Sequence, residues 1–141
     1  MPLTQTIPAL PVREVRAAVA AYVDRFGFVL VHEAEAMAVL RRDGAELHLW
    51  LAGDDSWTTR TSLGPAPVRS GAESFLAGTA NCRIQVDDVA ELDALYTAYA
   101  AAQVLHPVSA HEIETTDFGT REFHTTDVDG NLLSFFVRLP A

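Results

Sequence analysis

The chain repeats itself once. Leu10-Pro-Val-Arg-Glu-Val15 matches Ile84-Gln-Val-Asp-Asp-Val89 at a constant offset of 74 residues. In each copy a strand-like segment runs into a capped helix, and further strand segments with a late Gly turn follow. A structural repeat of this kind cannot bury its apolar face alone, so the two copies must share a core. The expected fold class is α+β, with two β-α-β-β-β modules forming a curved mixed sheet around a cleft. The expected division is residues 1–52 for the first module, 53–78 for a connecting loop that could act as a lid, and 79–141 for the second module. A chain of 141 residues has the size of one domain, or of two small modules with one core.

Periodicity places the elements. Thr4 to Val12 reads as a strand, and Pro8 and Pro11 within it lack N–H groups, so it belongs at an edge or a junction. Val12 to Phe26 reads as a helix with Val15, Ala18, Val19, Tyr22 and Phe26 in one stripe, ended by Gly27 in a left-handed cap. Strands are expected at Phe28–His32, Ala36–Arg41 and Glu46–Leu51, with Asp43-Gly44 as a hairpin turn. Ala52 to Gly78 is rich in Gly, Pro, Ser and Thr and reads as a long loop. Thr79–Val86 is a strand. Asp87–Ala101 is a helix capped by Asp87 or Asp88, its stripe made of Val89, Leu92, Tyr96 and Tyr99. Val104–Ser109 reads as a short strand, and Ala110–Asp117 as a polar connector.

The closing stretch reads F-G-T-R-E-F-H-T-T-D-V-D-G-N-L-L-S-F-F-V from Phe118 to Val137. Phe123 opens a strand that breaks at Asp127. Asp129, Gly130 and Asn131 turn the chain, and Leu132 to Val137 is an apolar strand. The string G-x-R-E-F, then D-x-D-G-N, then an apolar strand resembles the C-terminal hairpin of the vicinal-oxygen-chelate superfamily, which includes glyoxalase I, extradiol dioxygenases and the fosfomycin- and bleomycin-resistance proteins. G-x-R-E-F is most similar to the bleomycin-resistance branch. That resemblance implies the glyoxalase/bleomycin-resistance fold and a homodimer, its first strand often swapped between subunits.

Composition narrows the function. The net charge of −9 argues against a nucleic-acid partner, which would need a basic stripe, and favours a cationic ligand. There is no run of 18 apolar residues, so no membrane span is expected. Met1 to Pro11 has no signal-peptide pattern, and the single Cys82 forms no intrachain disulfide, so a cytoplasmic location and a core role for Cys82 are expected.

The superfamily's enzymes hold a divalent metal at four positions, and the resemblance puts these on Ile7, His48, Asn81 and Ser134. Isoleucine has no donor atom, and serine and a neutral amide are poor ligands for transition metals. No metal and no other cofactor is expected. Strand alternation places Glu46 and Trp50 on the side of His48. The resemblance implies that Glu122 and His124 face the cleft. It makes Trp50, Trp57 and Phe118 the aromatic partners of a bulky ligand, with Met37 beside them and Glu33 and Glu35 at the rim. Arg121 is expected to anchor the closing hairpin to a carboxylate, and Asp127 and Asp129 to organise its turn.

The expected activity is sequestration of a bleomycin-type antibiotic, a non-enzymatic form of resistance. Alternatives are a metalloenzyme (lyase or dioxygenase) with a relocated site of His48, Glu122 and His124, and a sensor or binding protein for another aromatic small molecule.

Overall fold

The structure is a computed structural model that describes residues 2–52 and 80–140. Module one contains β1 (Ala9–Val12), α1 (Val15–Phe26), β2 (Val29–Glu33), β3 (Met37–Arg42) and β4 (Ala45–Leu51). Module two contains β5 (Asn81–Gln85), α2 (Val89–Ala101), a short 3-10 turn (Pro107–Ser109), β6 (Glu114–Thr115), β7 (Thr120–Thr126) and β8 (Leu132–Arg138). The mixed sheet surface is built as two ladders, in the orders β1-β4-β3-β2 and β5-β8-β7-β6. In each, the first strand lies parallel to the last and the other pairs are antiparallel. A parallel pair needs a long crossover, and α1 and α2 begin those crossovers.

The prolines set β1. It is an edge strand and starts at Ala9 rather than Thr4, since Pro8 cannot donate to the ladder, although its carbonyl accepts from His48 N at 3.0 Å. The helix starts at Val15 rather than Val12, because Val12 still pairs with Leu51. All five residues of its stripe are buried. Gly27 adopts φ 77°, and a Cβ there would lie 2.7 Å from Arg42 Nη1. That nitrogen donates to the Phe26 carbonyl at 2.6 Å and to Tyr99 Oη at 3.1 Å. Glycine is thus required twice, for its backbone and for the guanidinium that caps the helix end.

Module two departs from expectation in three places. Val104–Ser109 is not a strand: only an isolated bridge, Leu105 to Thr125, forms before Pro107 starts the 3-10 turn. Proline's fixed φ and missing N–H favour the turn over a ladder. The missing third strand is β6, two residues inside the polar connector. The strand β7 begins at Thr120, three residues before Phe123. Of the two capping candidates it is Asp88 whose side chain accepts from Glu91 N, at 2.8 Å. Its helix buries only Leu92 and Tyr99, leaving Val89 38% exposed.

One core spans both modules. Tyr22 stacks on Phe26 (5.1 Å), Phe26 meets Tyr99 edge-on (5.2 Å), and Tyr99 meets Phe135 (5.2 Å) beside Phe123 (5.5 Å from Phe135). Aromatic burial dominates such a core. Tyr99 Oη donates to Phe26 O at 2.8 Å, and burial pushes its phenol up to about 12.

The D-x-D-G-N turn latches the modules together. Asp127 Oδ1 accepts from the N–H groups of Asp129 (2.8 Å) and Asn131 (2.9 Å), organising the turn as expected. Its Oδ2 accepts from Tyr22 Oη (2.8 Å) in α1 and from Asn131 Nδ2 (2.9 Å). Asn131 Nδ2 also donates to Pro11 O at 2.8 Å, and Asp129 Oδ1 accepts from Arg13 N and Nε. Burial raises the Asp127 carboxyl above its ordinary value, despite the hydrogen bonds that oppose the shift. Burial, then the Asp127 charge, holds the Tyr22 phenol well above its own. The same end of the molecule tethers both flanks of the undescribed stretch: Ala52 N donates to Val12 O, and Ala80 N to Asn131 Oδ1.

Candidate functional site: two open sheet faces and the groove between modules

Alternation gives each sheet a core face and an open face. In β4, Leu47 and Leu49 point into the core, so Glu46, His48 and Trp50 share the other face. Register places Met37 opposite Trp50, Val39 opposite His48 and Arg41 opposite Glu46. Face one therefore has an apolar end, where Trp50 is 43% exposed, and a charged end. There Arg41 Nε donates to Glu46 Oε1 at 2.7 Å, and His48 Nε2 lies 2.8 Å from Glu46 Oε2. The Arg41 hydrogen bond, then that of His48, holds the Glu46 carboxyl below its ordinary value.

Face two is built around a buried carboxylate. The side chains of Arg83 (β5), Glu122 and His124 (β7), and Ser134 and Phe136 (β8) lie opposite Ile84, Phe123 and Phe135, which join the core. Glu122 accepts from Arg83 Nη2 (2.8 Å) and Nη1 (3.3 Å) and from Thr120 Oγ1 (2.9 Å). The Arg83 hydrogen bond is the main reason its carboxyl lies below the ordinary range. The Arg83 guanidinium sits 4.5 Å over the Phe136 ring, and Arg138 lies 5.9 Å from the same ring. His124 Nδ1 is 2.6 Å from Ser134 Oγ, and its Nε2 is 3.8 Å from Glu122 Oε1.

The candidates from the sequence thus divide. Met37, His48 and Trp50 come together on face one, and Glu122 and His124 on face two. Glu35 sits in the exposed bend between β2 and β3, and Phe118, 66% exposed, in the turn between β6 and β7. Trp57 lies outside the described residues. Arg121 reaches Asp93 on α2 at 3.2 Å, the carboxylate anchor expected of it. Arg83 and Phe136 were missed. Their signal was in the sequence, since both sit at alternate positions beside inward-facing apolar residues.

The superfamily metal positions do not fit a divalent ion. Ile7 has no donor atom, the Ser134 hydroxyl is engaged by His124, and Arg83 lies opposite Ser134 in register. Of the relocated triad, two members gather and the third lies on the other ladder. Glu122 and His124 gather with Glu114, their ligand atoms within 4.8 Å of one another, while His48 is held by Glu46 on the other sheet. Within that cluster a cation is already present on Glu122, the Arg83 guanidinium. The burial of Cys82, the main cause of a thiol pushed up to about 11, suits a packing role.

A groove of about 1000 Å³ runs along the seam between modules. Its walls include Arg42 and Glu46 of module one, Arg83 of β5, and Leu95 and Ala98 of α2.

Paired β-α-β-β-β modules with open sheet faces define the class: an α+β scaffold of two four-stranded ladders. A profile of the Glyoxalase/Bleomycin resistance protein/Dioxygenase superfamily matches residues 5–135, and the chain belongs to that superfamily. It is 40% identical over 137 residues to proteins named bleomycin resistance protein from Geobacillus stearothermophilus and Staphylococcus aureus, covering 97% of this chain and 98% of each relative. Its fold matches the crystal structure of a bleomycin-binding protein from Streptomyces verticillus complexed with copper(II)-bleomycin (TM-score 0.69, 21% identity, 100% of this chain and 99% of that one). It also matches a lactoylglutathione lyase from Agrobacterium tumefaciens (TM-score 0.66, 20% identity, 97% and 96%). The described part contains no helix long and apolar enough to cross a membrane.

Proposed function

We propose that this chain binds a bleomycin-type glycopeptide and confers resistance by sequestration, acting in the cytoplasm without chemistry on its ligand. The observation that carries the reading is the 40% identity, over nearly the whole chain, to proteins named for bleomycin resistance. Face one supports it. Trp50 and Met37 offer a half-exposed surface for a planar aromatic group, and a chain of net charge −9 attracts a cationic ligand. Three of the four positions that the resemblance gives to the metal, Ile7, Asn81 and Ser134, offer no good transition-metal ligand, which supports binding over catalysis.

The working unit is proposed to be a homodimer whose second copy lies over the open faces. The edge strand β1 pairs with β4 of its own chain here, and a swapped dimer would make the same ladder between subunits. Glu35, Phe118 and Trp57 keep their proposed roles as ligand contacts in that assembly. Sedimentation should give a dimer at micromolar concentration; a monomer there would remove this part of the proposal.

Titration of the purified protein with metal-free and copper-loaded bleomycin, followed by tryptophan fluorescence, tests the function. Saturable binding is expected, and no response at millimolar ligand would overturn it. The convergence of Glu114, Glu122 and His124 favours a second reading, a metalloenzyme. Elemental analysis showing near one divalent metal per chain, lost in Glu122→Ala or His124→Ala, would promote it.

A further inference from the structure

The edge strand β6 puts a carboxylate where the sheet already holds one. Glu114 lies directly opposite Glu122 in register. Like charges that face each other across a ladder destabilise it. The Glu122 side chain is only 6% exposed, so the pair is poorly screened. Arg83 offsets one of the two charges and leaves the other. The pairing under this load is short, because β6 is two residues long and lies at the edge of its ladder.

An imidazole completes the cluster. His124 follows Glu122 by two residues on the same face of β7, and the ligand atoms of Glu114, Glu122 and His124 lie within 4.8 Å of one another. The far atoms of the two β7 side chains are already engaged. Nδ1 of His124 is 2.6 Å from Ser134 Oγ, while its Nε2 lies 3.8 Å from Glu122 Oε1. Oε2 of Glu122 accepts from both Arg83 Nη2 (2.8 Å) and Thr120 Oγ1 (2.9 Å), whereas Oε1 meets Arg83 Nη1 at the longer 3.3 Å. Ligating histidines and carboxylates are held in this way, by outer partners that fix the side chain and leave one atom for the ion. One imidazole nitrogen and two carboxylate oxygens suit a zinc-type divalent ion, with bonds of about 2.0–2.2 Å.

We propose that Glu114, Glu122 and His124 bind a zinc-type divalent ion that clamps the edge strand β6 to β7, with a fourth position left to water. The ion offsets the repulsion between the facing carboxylates and adds a link between strands where the ladder has two residue pairs. Its role is structural, which separates it from the metalloenzyme reading. It rests on neither reading of the function, and bleomycin plays no part in its test.

The full chain, stripped of metal, is titrated by calorimetry with Zn²⁺ alone. Mg²⁺, which demands octahedral oxygen ligands and dehydrates reluctantly, is the control. Binding of a single zinc per chain is expected, with no response to Mg²⁺. Zinc at about 100 times its Kd should raise the melting temperature by roughly 5 °C. It should also slow exchange of the Thr116 N–H, which donates to Thr120 O at 2.8 Å beside the clamp, about tenfold. Glu114→Gln, at an exposed position, removes a ligand and the repulsion together. It should melt at or above the metal-free wild type and lose the response to zinc. His124→Gln should lose that response as well. No binding at millimolar Zn²⁺, or binding undiminished in Glu114→Gln, would overturn the site. Zinc that binds without slowing Thr116 exchange is the result expected of a metal that serves catalysis alone, and it would overturn the clamp.

Discussion

The two modules descend the same topological path and end with different surfaces. In module one, α1 buries five side chains, and the open face of its sheet is half apolar around Trp50. In module two, α2 buries two, and the open face is organised by a buried ion pair. The repeat therefore fixes where strands and helices go without fixing what each exposed surface is for. Module one spends its apolar stripe entirely on the core. The corresponding helix in module two leaves apolar surface along the seam, where the groove forms.

The latch that joins them should be the most sensitive point. Asn131 is fully buried and donates to both Pro11 O and Asp127 Oδ2 while accepting from Ala80 N. Removing it leaves several buried polar groups unsatisfied. Asn131→Ala should cost about 3 kcal/mol or more, measured by urea unfolding. A cost near that of a surface mutation would mean that the modules are held by the aromatic core alone.

The helices can be compared at one matched pair. Val15 and Val89 are equivalent in the repeat, at 3% and 38% exposure. Val15→Ala should cost about 2 kcal/mol, from lost burial and a cavity, and Val89→Ala roughly 0.5 kcal/mol or less. Equal costs would show that α2 is packed as tightly as α1 in solution. At the junction, Gly27→Ala forces a side chain into a positive φ and against Arg42, and should cost roughly 1–2 kcal/mol in thermal unfolding.

The smallest effect is in pH. The folded Glu122 carboxyl lies below its ordinary value, so its stabilisation is complete above the unfolded pKa and is lost as pH falls through the folded one. Asp127 has the opposite sign: its carboxyl is raised, so its contribution is complete below the unfolded pKa and is lost as pH rises through the folded value. Glu122→Gln should therefore flatten the acid limb of a stability–pH curve. An unchanged acid limb would mean that the Arg83 pair contributes nothing across it.

Much of the fold was legible because both helices and most strands follow apolar periodicity. The repeat located Val15 and Val89, and the turn residues located the latch. What was not legible depended on partners distant in sequence. Pro107 turned an apparent strand into a 3-10 turn, and β6 formed from a polar pair because β7 offered it a free edge. The pairing of Met37 with Trp50 followed once the hairpin register was fixed by Asp43-Gly44. Alternation in β5 marks Arg83 as facing away from the core, but its partner, a buried glutamate 39 residues away, is not marked locally.

The most direct test of the binding account is calorimetry of wild type and Trp50→Ala with a bleomycin-family compound. Loss of a contacting indole removes its stacking and its burial, so Trp50→Ala should weaken binding by roughly 2 kcal/mol, about thirtyfold, while the variant stays folded. Equal affinity in the two proteins would contradict the assignment of face one as the ligand surface.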